Sequence, residues 1–226
     1  MRSTTLARLL QLGSQALPIG GYSHSQGLES AAQRKWITDE ASVLRWISDV
    51  LQFSIYTFDL PSLFALGQAW TLQDGESVRS LNEEFISTRE SAELRAATVQ
   101  MGFSMRALLS VLPDLPNPTM EILRSMHEPS LPCVWSAATA AWAVDARESA
   151  IAYVWSWAEN QVLAAIKTLP LGQSAGQRVL LGLGQSIAPS VDRVHAAPRD
   201  DRSNFAPALA ILSAQHETQY SRLFRS

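Results

Sequence analysis

Along most of this chain apolar residues recur at intervals of three and four, the spacing that gathers them on one face of a helix. The clearest run is Asp145–Leu169, where Ile151, Val154, Trp155, Ala158, Val162, Ile166 and Leu169 fall on one stripe. Tyr153, Asn160 and Lys167, spaced by seven, line a second and narrower stripe. Asp145, with Glu148 three residues on, predicts the start, because an acidic side chain there satisfies N–H groups left open in the first turn. Pro170 and Gly172 predict the stop. No charge occurs between Ser149 and Ala158. A helix apolar nearly all round is a buried one, so this segment is expected to form the centre of the fold.

The same periodicity predicts a short helix over Thr4–Leu12, a turn with two glycines at Leu17–Tyr22, and a helix over Ser23–Lys35. Another starts at Thr38–Asp39 and carries Val43, Trp46, Ile47, Val50 and Leu51 in register. Asp59-Leu60-Pro61 predicts a fresh start, with Pro61 in a first turn, for a helix running to about Trp70. After a turn at Asp74-Gly75, Glu76 to about Leu112 reads as one long helical stretch with room for a bend, closed by Pro113, Pro116 and Pro118. Helices over Thr119–Met126, Leu131–Val144 and Ala175–Ile187 follow, Gly182 and Gly184 loosening the end of the last. Asp192–Ser203 is polar and charge-dense, which predicts a loop, and Phe205–Gln215 a final helix. No alternating strand pattern, internal repeat or domain boundary is visible. The expectation is an all-α fold, one domain over residues 1–226, with roughly ten helices around a central one.

Composition changes this picture in one respect. Apolar content of 46% is ordinary, but only 17% of residues are charged, against a usual share of about 25%. A chain short of charge has surface to hide, which favours a subunit of a complex. The net charge of −3 gives no basic field for nucleic acid. A single cysteine, Cys133, rules out an intramolecular disulfide and suits a reducing cytosol. The first residues carry an arginine inside their apolar stretch and lack a cleavage pattern, so no signal peptide is expected. The longest uncharged run, Pro129–Val144, is too short to span a bilayer. A cytoplasmic protein without membrane or nucleic-acid partners is expected.

Candidate chemistry is sparse. No phosphate-cradling glycine motif is present, Gly182-Leu183-Gly184 being only a fragment of one. His24, His127, His195 and His216 lie far apart, in neither H-x-H nor H-E-x-x-H spacing, so no metal ligand and no cofactor is assigned. Gly21–Gly27 suggests a nucleophile at Ser23 or His24, but the strand-turn-helix frame is missing and helix capping is the simpler account. Cys133, between Pro132 and Val134, reads as an inert core thiol. Glu29, Asp59, Glu93 and Lys167 stand among apolar or small neighbours. They either form a buried network with acids in excess, a cavity wall or docking site, or each points outward. The tail is the odder feature: Gln219–Ser226 combines Tyr220, Leu223 and Phe224 with Arg222 and Arg225. Those types dominate interface hot spots. The segment is expected to order on a partner, the alternatives being a frayed end or a tail folded on its own core.

At these residues the chain resembles a known family. Leu17-Pro18-Ile19-Gly20-Gly21-Tyr22-Ser23 with Ser25-Gln26-Gly27-Leu28-Glu29 is similar to the N-terminal signature of the UreF urease accessory proteins. Asp59-Leu60-Pro61, Arg89-Glu90 with Glu93-Leu94-Arg95, and Pro170–Gln173 with Gly176-Gln177 are similar to later blocks. His216–Ser226 matches the C-terminal signature, and the similarity is collinear from Leu9 to Ser226. The resemblance implies a non-enzymatic, all-α, homodimeric maturation factor. It implies a bridge between a scaffold partner, UreD (also called UreH), and the GTPase UreG, which together deliver nickel to urease apoprotein. It also implies a UreD-binding tail, His216, Glu217, Thr218, Gln219, Tyr220, Ser221, Arg222, Leu223, Phe224 and Arg225, that orders as it docks. Glu29, Asp59, Glu93 and Lys167 match polar positions associated with coupling to the GTPase or with a cavity. Leu112–Ala146 departs most from the family, and no partner contact is assigned there. The competing readings are a small all-α hydrolase or transferase using Ser23 or His24, and a helical adaptor unrelated to nickel.

Overall fold

A computed structural model describes residues 3–112, 115–197 and 202–226, for Ser3 the backbone alone. Among the described residues every regular element is helical. In chain order these are α1 (Ser3–Leu12), a 3-10 turn (Gly21–Ser23), α2 (Leu28–Gln33), α3 (Glu40–Val50), a π segment (Leu51–Asp59) and α4 (Leu60–Thr71). Then come α5 (Gly75–Ser87), α6 (Ala92–Val111), α7 (Asn117–Ser125), α8 (Leu131–Ala141), α9 (Ala146–Thr168), α10 (Gln173–Ala196) and α11 (Pro207–His216). With α3, the π segment and α4 counted as the single rod they form, the all-α fold has ten helices among the described residues.

The centre is α9, as its pattern predicts. Asp145 caps it by accepting from the N–H groups of Arg147 at 3.0 Å and Glu148 at 3.2 Å. It packs against α10, α2, α3, α4, α8 and α1. Val154, Ala158 and Val162 are buried, while Trp155 near the middle and Lys167 in the last turn reach the surface. In the close pairing with α10, Gly176 lies against Ile166, whose side-chain tip a Cβ there would displace. Deep in the core Trp135 donates to Ser149 Oγ at 3.1 Å and meets the ring of Tyr153 edge-on. Cys133 is fully buried, and burial pushes its thiol up to about 12, which makes it inert at neutral pH.

Five expectations need correction. Asp59 does not start a helix: it sits at φ −63°, ψ −45° inside a rod that is continuous from Glu40 to Thr71. Pro61 has no N–H to give the turn before it, and the rod absorbs this by widening to π register. Leu60 N–H then bonds Ile55 O, and Thr57 O is served from outside by Ser203 N–H at 3.0 Å. The predicted stretch from Glu76 to Leu112 is two helices, broken at Thr88–Ser91. There Thr88 Oγ1 donates to Phe85 O at 2.9 Å, and Ser91 Oγ accepts from Leu94 N–H at 3.0 Å. Short hydroxyl side chains thus outcompete helix continuation. Gly182 and Gly184 do not end α10, which runs on past Pro189, and the ring of Trp155 covers Gly184. The loop expected over Asp192–Ser203 therefore begins later, since residues 192–196 are the last turn of α10. Asp192 pairs there with Arg147 of α9, which holds its carboxyl below the usual range. Residues 113–114 and 198–201, including the helix-ending Pro113, lie outside the described residues. Lastly, the helix expected over Ser23–Lys35 contracts to the 3-10 turn and α2, with Gly27 at φ +84° between them.

Among the described residues no helix is long and apolar enough to cross a membrane.

Candidate functional site

The left-handed backbone at Gly20 and Gly27 folds residues 20–28 into a compact loop, and that loop delivers Glu29 into the interior at the first turn of α2. A buried carboxylate has to be met by donors, and here they all come from the far end of the chain. Glu29 Oε1 accepts from Leu223 N–H at 2.8 Å and Gln219 Nε2 at 3.2 Å. Its Oε2 accepts from Phe224 N–H at 3.0 Å and faces His216 Nε2 at 3.2 Å. On the other side of the same ring His216 Nδ1 lies 2.7 Å from Glu93 Oε2, and Glu93 Oε1 takes Arg222 at 2.8 Å. Each ring nitrogen of His216 therefore faces a carboxylate oxygen.

Further contacts tie the tail down on both sides of this node. Glu217 accepts from Ala92 N–H at 2.9 Å at the start of α6, and Ser213 Oγ meets Ser91 Oγ at 2.6 Å. Arg225 N–H donates to Ser23 O at 2.8 Å, and the N–H groups of Ser25 and Gln26 converge on the Ser226 backbone oxygen. His24 Nδ1 lies 2.7 Å from Ser226 Oγ, while its buried Nε2 has no partner among the described residues. Burial, and then the charge of Arg225, push its imidazole down to about 4. Phe224 packs into the core with Lys167 Nζ 5.7 Å from its ring centre and 5.6 Å from that of Tyr22.

The tail expected to await a partner is therefore already folded on its own chain. His216, Phe224 and Ser226 are buried, whereas Tyr220 is fully exposed and Leu223 is 70% exposed. The reason is local: Glu29 requires backbone donors, and the turn of Gln219–Phe224 supplies them while leaving the four side chains from Tyr220 to Leu223 exposed.

The four charged residues singled out in the sequence do not form one cluster. Glu29 and Glu93 meet through His216. Asp59 sits apart, 3.2 Å from Arg89, whose guanidinium stacks over Phe85 at 4.2 Å and Phe58 at 5.3 Å. Burial raises the Asp59 carboxyl, and Arg89 works against that. Lys167 takes the outward course, its tip exposed at the end of α9. Ser23 and His24 make no nucleophile–base pair, since Ser23 Oγ donates to Gly20 O at 2.7 Å and His24 faces Ser226. Sequence reasoning missed Arg89 as the partner of Asp59, and Ser91 and Ser213 as a seam; no local spacing links residues so far apart. Among the described residues no group of three His, Cys, Asp or Glu side chains is arranged to hold a metal ion.

A family model described as UreF matches residues 37–184. The chain is similar over nearly its whole length to proteins named urease accessory protein UreF. That of Dechloromonas aromatica is 50% identical over 225 residues, covering 98% of this chain and 97% of the relative. That of Azoarcus sp. is 48% identical over 224 residues, covering 98% and 95%. That of Janthinobacterium sp. is 42% identical over 226 residues, covering 100% of both.

Proposed function

We propose a function that starts from one fact, that this chain belongs to the UreF family of urease accessory proteins. Its role is in urease maturation. It acts in the cytoplasm as a non-enzymatic subunit that joins UreD (UreH) to the GTPase UreG, so that nickel, the cargo, reaches urease apoprotein. The surface for UreD is the outward side of the folded tail. The observation that carries this reading is the fourfold acceptance of tail donors by Glu29. It holds His216–Arg225 in one shape, with Tyr220, Arg222 and Leu223 presented together. Preformed aromatic, arginine and leucine side chains bind with less ordering cost than a free segment.

Glu93 and Lys167 border the same region, Glu93 beneath Arg222 and Lys167 beside Phe224. This supports a role for them in passing tail occupancy on to the GTPase, with Glu29 as the link; Asp59 belongs to the cavity treated below. A second copy of this chain would use another face, where exposed Leu6 and Leu10 of α1 and Trp155 of α9 border a groove floored by Ile151 and Ala152.

The test is complementation. Expressed in a urease-positive cell whose own UreF has been deleted, the chain should restore nickel-dependent urease activity. A folded, well-expressed chain that restores none would overturn the reading. The hydrolase alternative predicts instead an ester turnover by the purified protein that Ser23→Ala abolishes.

A further inference from the structure

Between the N-terminal loop, the π segment, the break between α5 and α6, and α9 lies a cavity of about 90 Å³. That is room for about three waters, or a small molecule of comparable size. Exposed Ser14, Tyr22 and Glu90 stand at its rim, and its walls are largely apolar and aromatic, with Leu17, Leu94, Trp135 and Trp157 among them. Asp59, Arg89 and Tyr153 line it together, beside further polar residues such as Gln15, Ser54, Thr98 and Asn160, and none of the first three side chains takes part in the tail contacts.

These groups are poorly satisfied. The Asp59–Arg89 contact is long for a charged pair at 3.2 Å and uses only Oδ1 of Asp59. Arg89 otherwise reaches Thr88 Oγ1 at 3.4 Å, and its Nε is buried with no partner. Neither Oδ2 of Asp59 nor the Tyr153 hydroxyl has a protein hydrogen-bond partner among the described residues. Asp59 lies close enough to Tyr153 to add to the upward push that burial exerts on its phenol. A buried ion pair repays its desolvation only when its remaining lone pairs and N–H groups are also met. Here Arg89 Nε stays buried and unmet, and the residues of the pair line a cavity whose walls are largely apolar, the usual make-up of a small-molecule site.

Charge decides what fits. An anion would be opposed by Asp59 and a cation by Arg89, both within the same few ångströms. A neutral group with an acceptor and a donor side by side meets both at once: its carbonyl, with two lone pairs, accepts from Arg89 and from Tyr153 while its N–H donates to Asp59 Oδ2. We propose that this cavity binds a small neutral molecule bearing a primary amide on a short apolar chain. The site is separate from the tail and does not depend on the partner-binding reading above.

Three probes of matched size and different charge test it: butyramide, butyrate and butylamine, titrated against the full chain at neutral pH and followed by saturation-transfer NMR. Butyramide should bind saturably, with the two charged probes weaker by about tenfold, the cost of an opposed charge in a partly buried site. Tyr153→Phe, which keeps the ring contact with Trp135, should weaken butyramide about fivefold, the worth of one hydrogen bond. Asp59→Asn should turn the preference over, so that butyrate binds more tightly than butyramide. The proposal fails if butyramide shows no saturable binding, as for a cavity filled by water alone. It also fails if all three probes bind alike, or if Tyr153→Phe leaves butyramide unchanged.

Discussion

Glu29, in the first turn of α2, accepts a hydrogen bond at 2.8 Å from the backbone N–H of Leu223, which stands 194 residues further along the chain. A side-chain carboxylate near the start of the protein thereby fixes the shape of its last turn. Replacing Glu29 with Ala leaves two backbone N–H groups and two side-chain donors without their acceptor, a loss of about 2–4 kcal/mol. Glu29→Ala should therefore raise amide hydrogen exchange at Leu223 and Phe224 strongly while the protection of α9 changes little. Unchanged protection at those two amides would show that other contacts hold the tail.

The tail should also loosen in acid. The His24 imidazole is lowered in the folded state, from 6.5 to about 4, so between those values the unfolded chain binds the extra proton. Stability attributable to this group is then full above pH 6.5, falls as pH drops toward 4, and changes no further below. The span corresponds to at most about 3 kcal/mol. Denaturant titrations between pH 7.5 and pH 4.5 should show the decline, and His24→Gln should flatten it. An equal pH slope in both proteins would remove His24 from the account.

Residues 202–206 act as a strap across the π segment. Asn204 accepts from Ser54 Oγ at 2.8 Å and donates to Thr88 O at 3.1 Å, joining the rod to the break between α5 and α6. Asn204→Ala should cost about 1–3 kcal/mol by thermal or chemical denaturation, since buried Ser54 and half-buried Thr88 both lose their bond. Asn204→Asp, which keeps the acceptor but loses the donor to Thr88, should fall between the wild type and the alanine variant.

Close packing gives a sharper expectation at Gly102 of α6, where a Cβ would run into the backbone of Pro129 and Ser130. Neither neighbour is the tip of a flexible side chain, so α6 and the loop before α8 must move apart. Gly102→Ala should lower stability by about 2–4 kcal/mol, or prevent folding. At Gly67 a Cβ would meet nothing within 4 Å, so Gly67→Ala should be neutral or slightly stabilising.

Much of the fold is legible in the sequence because helical periodicity is a local signal. The extent of α9, its Asp145 cap, and the placing of α1, α7, α8 and α11 all follow from spacing, capping and proline. What misled was punctuation whose meaning depends on tertiary partners. Pro61 looks like a start, but Ser203 supplies the hydrogen bond that the rod needs to pass it. Gly182 and Gly184 look like an ending, yet α9 and α3 cover them with Trp155 and Leu44. At the site, the seven-residue stripe on α9 was informative: Tyr153 lines the cavity, Asn160 donates to His24 O at 2.9 Å, and Lys167 stands over Tyr22 and Phe224. The pairing of Glu29 with the tail was not legible. Nothing in either segment alone says that a buried carboxylate will be met by the N–H groups of Leu223 and Phe224. The choice of test residue follows from how the tail folds: Phe224 is core, whereas Tyr220 and Leu223 report on the outer face.

The most direct measurement is therefore a pull-down of UreD by purified chain, comparing wild type with a Tyr220→Ala/Leu223→Ala double variant. These two side chains are exposed and bear no part of the tail's internal bonding, so circular dichroism and melting temperature should match wild type. The account predicts that UreD capture is lost, a drop of at least about tenfold in affinity for two hot-spot side chains. Capture at wild-type level by the folded double variant would contradict it, and would place the docking surface elsewhere on the molecule.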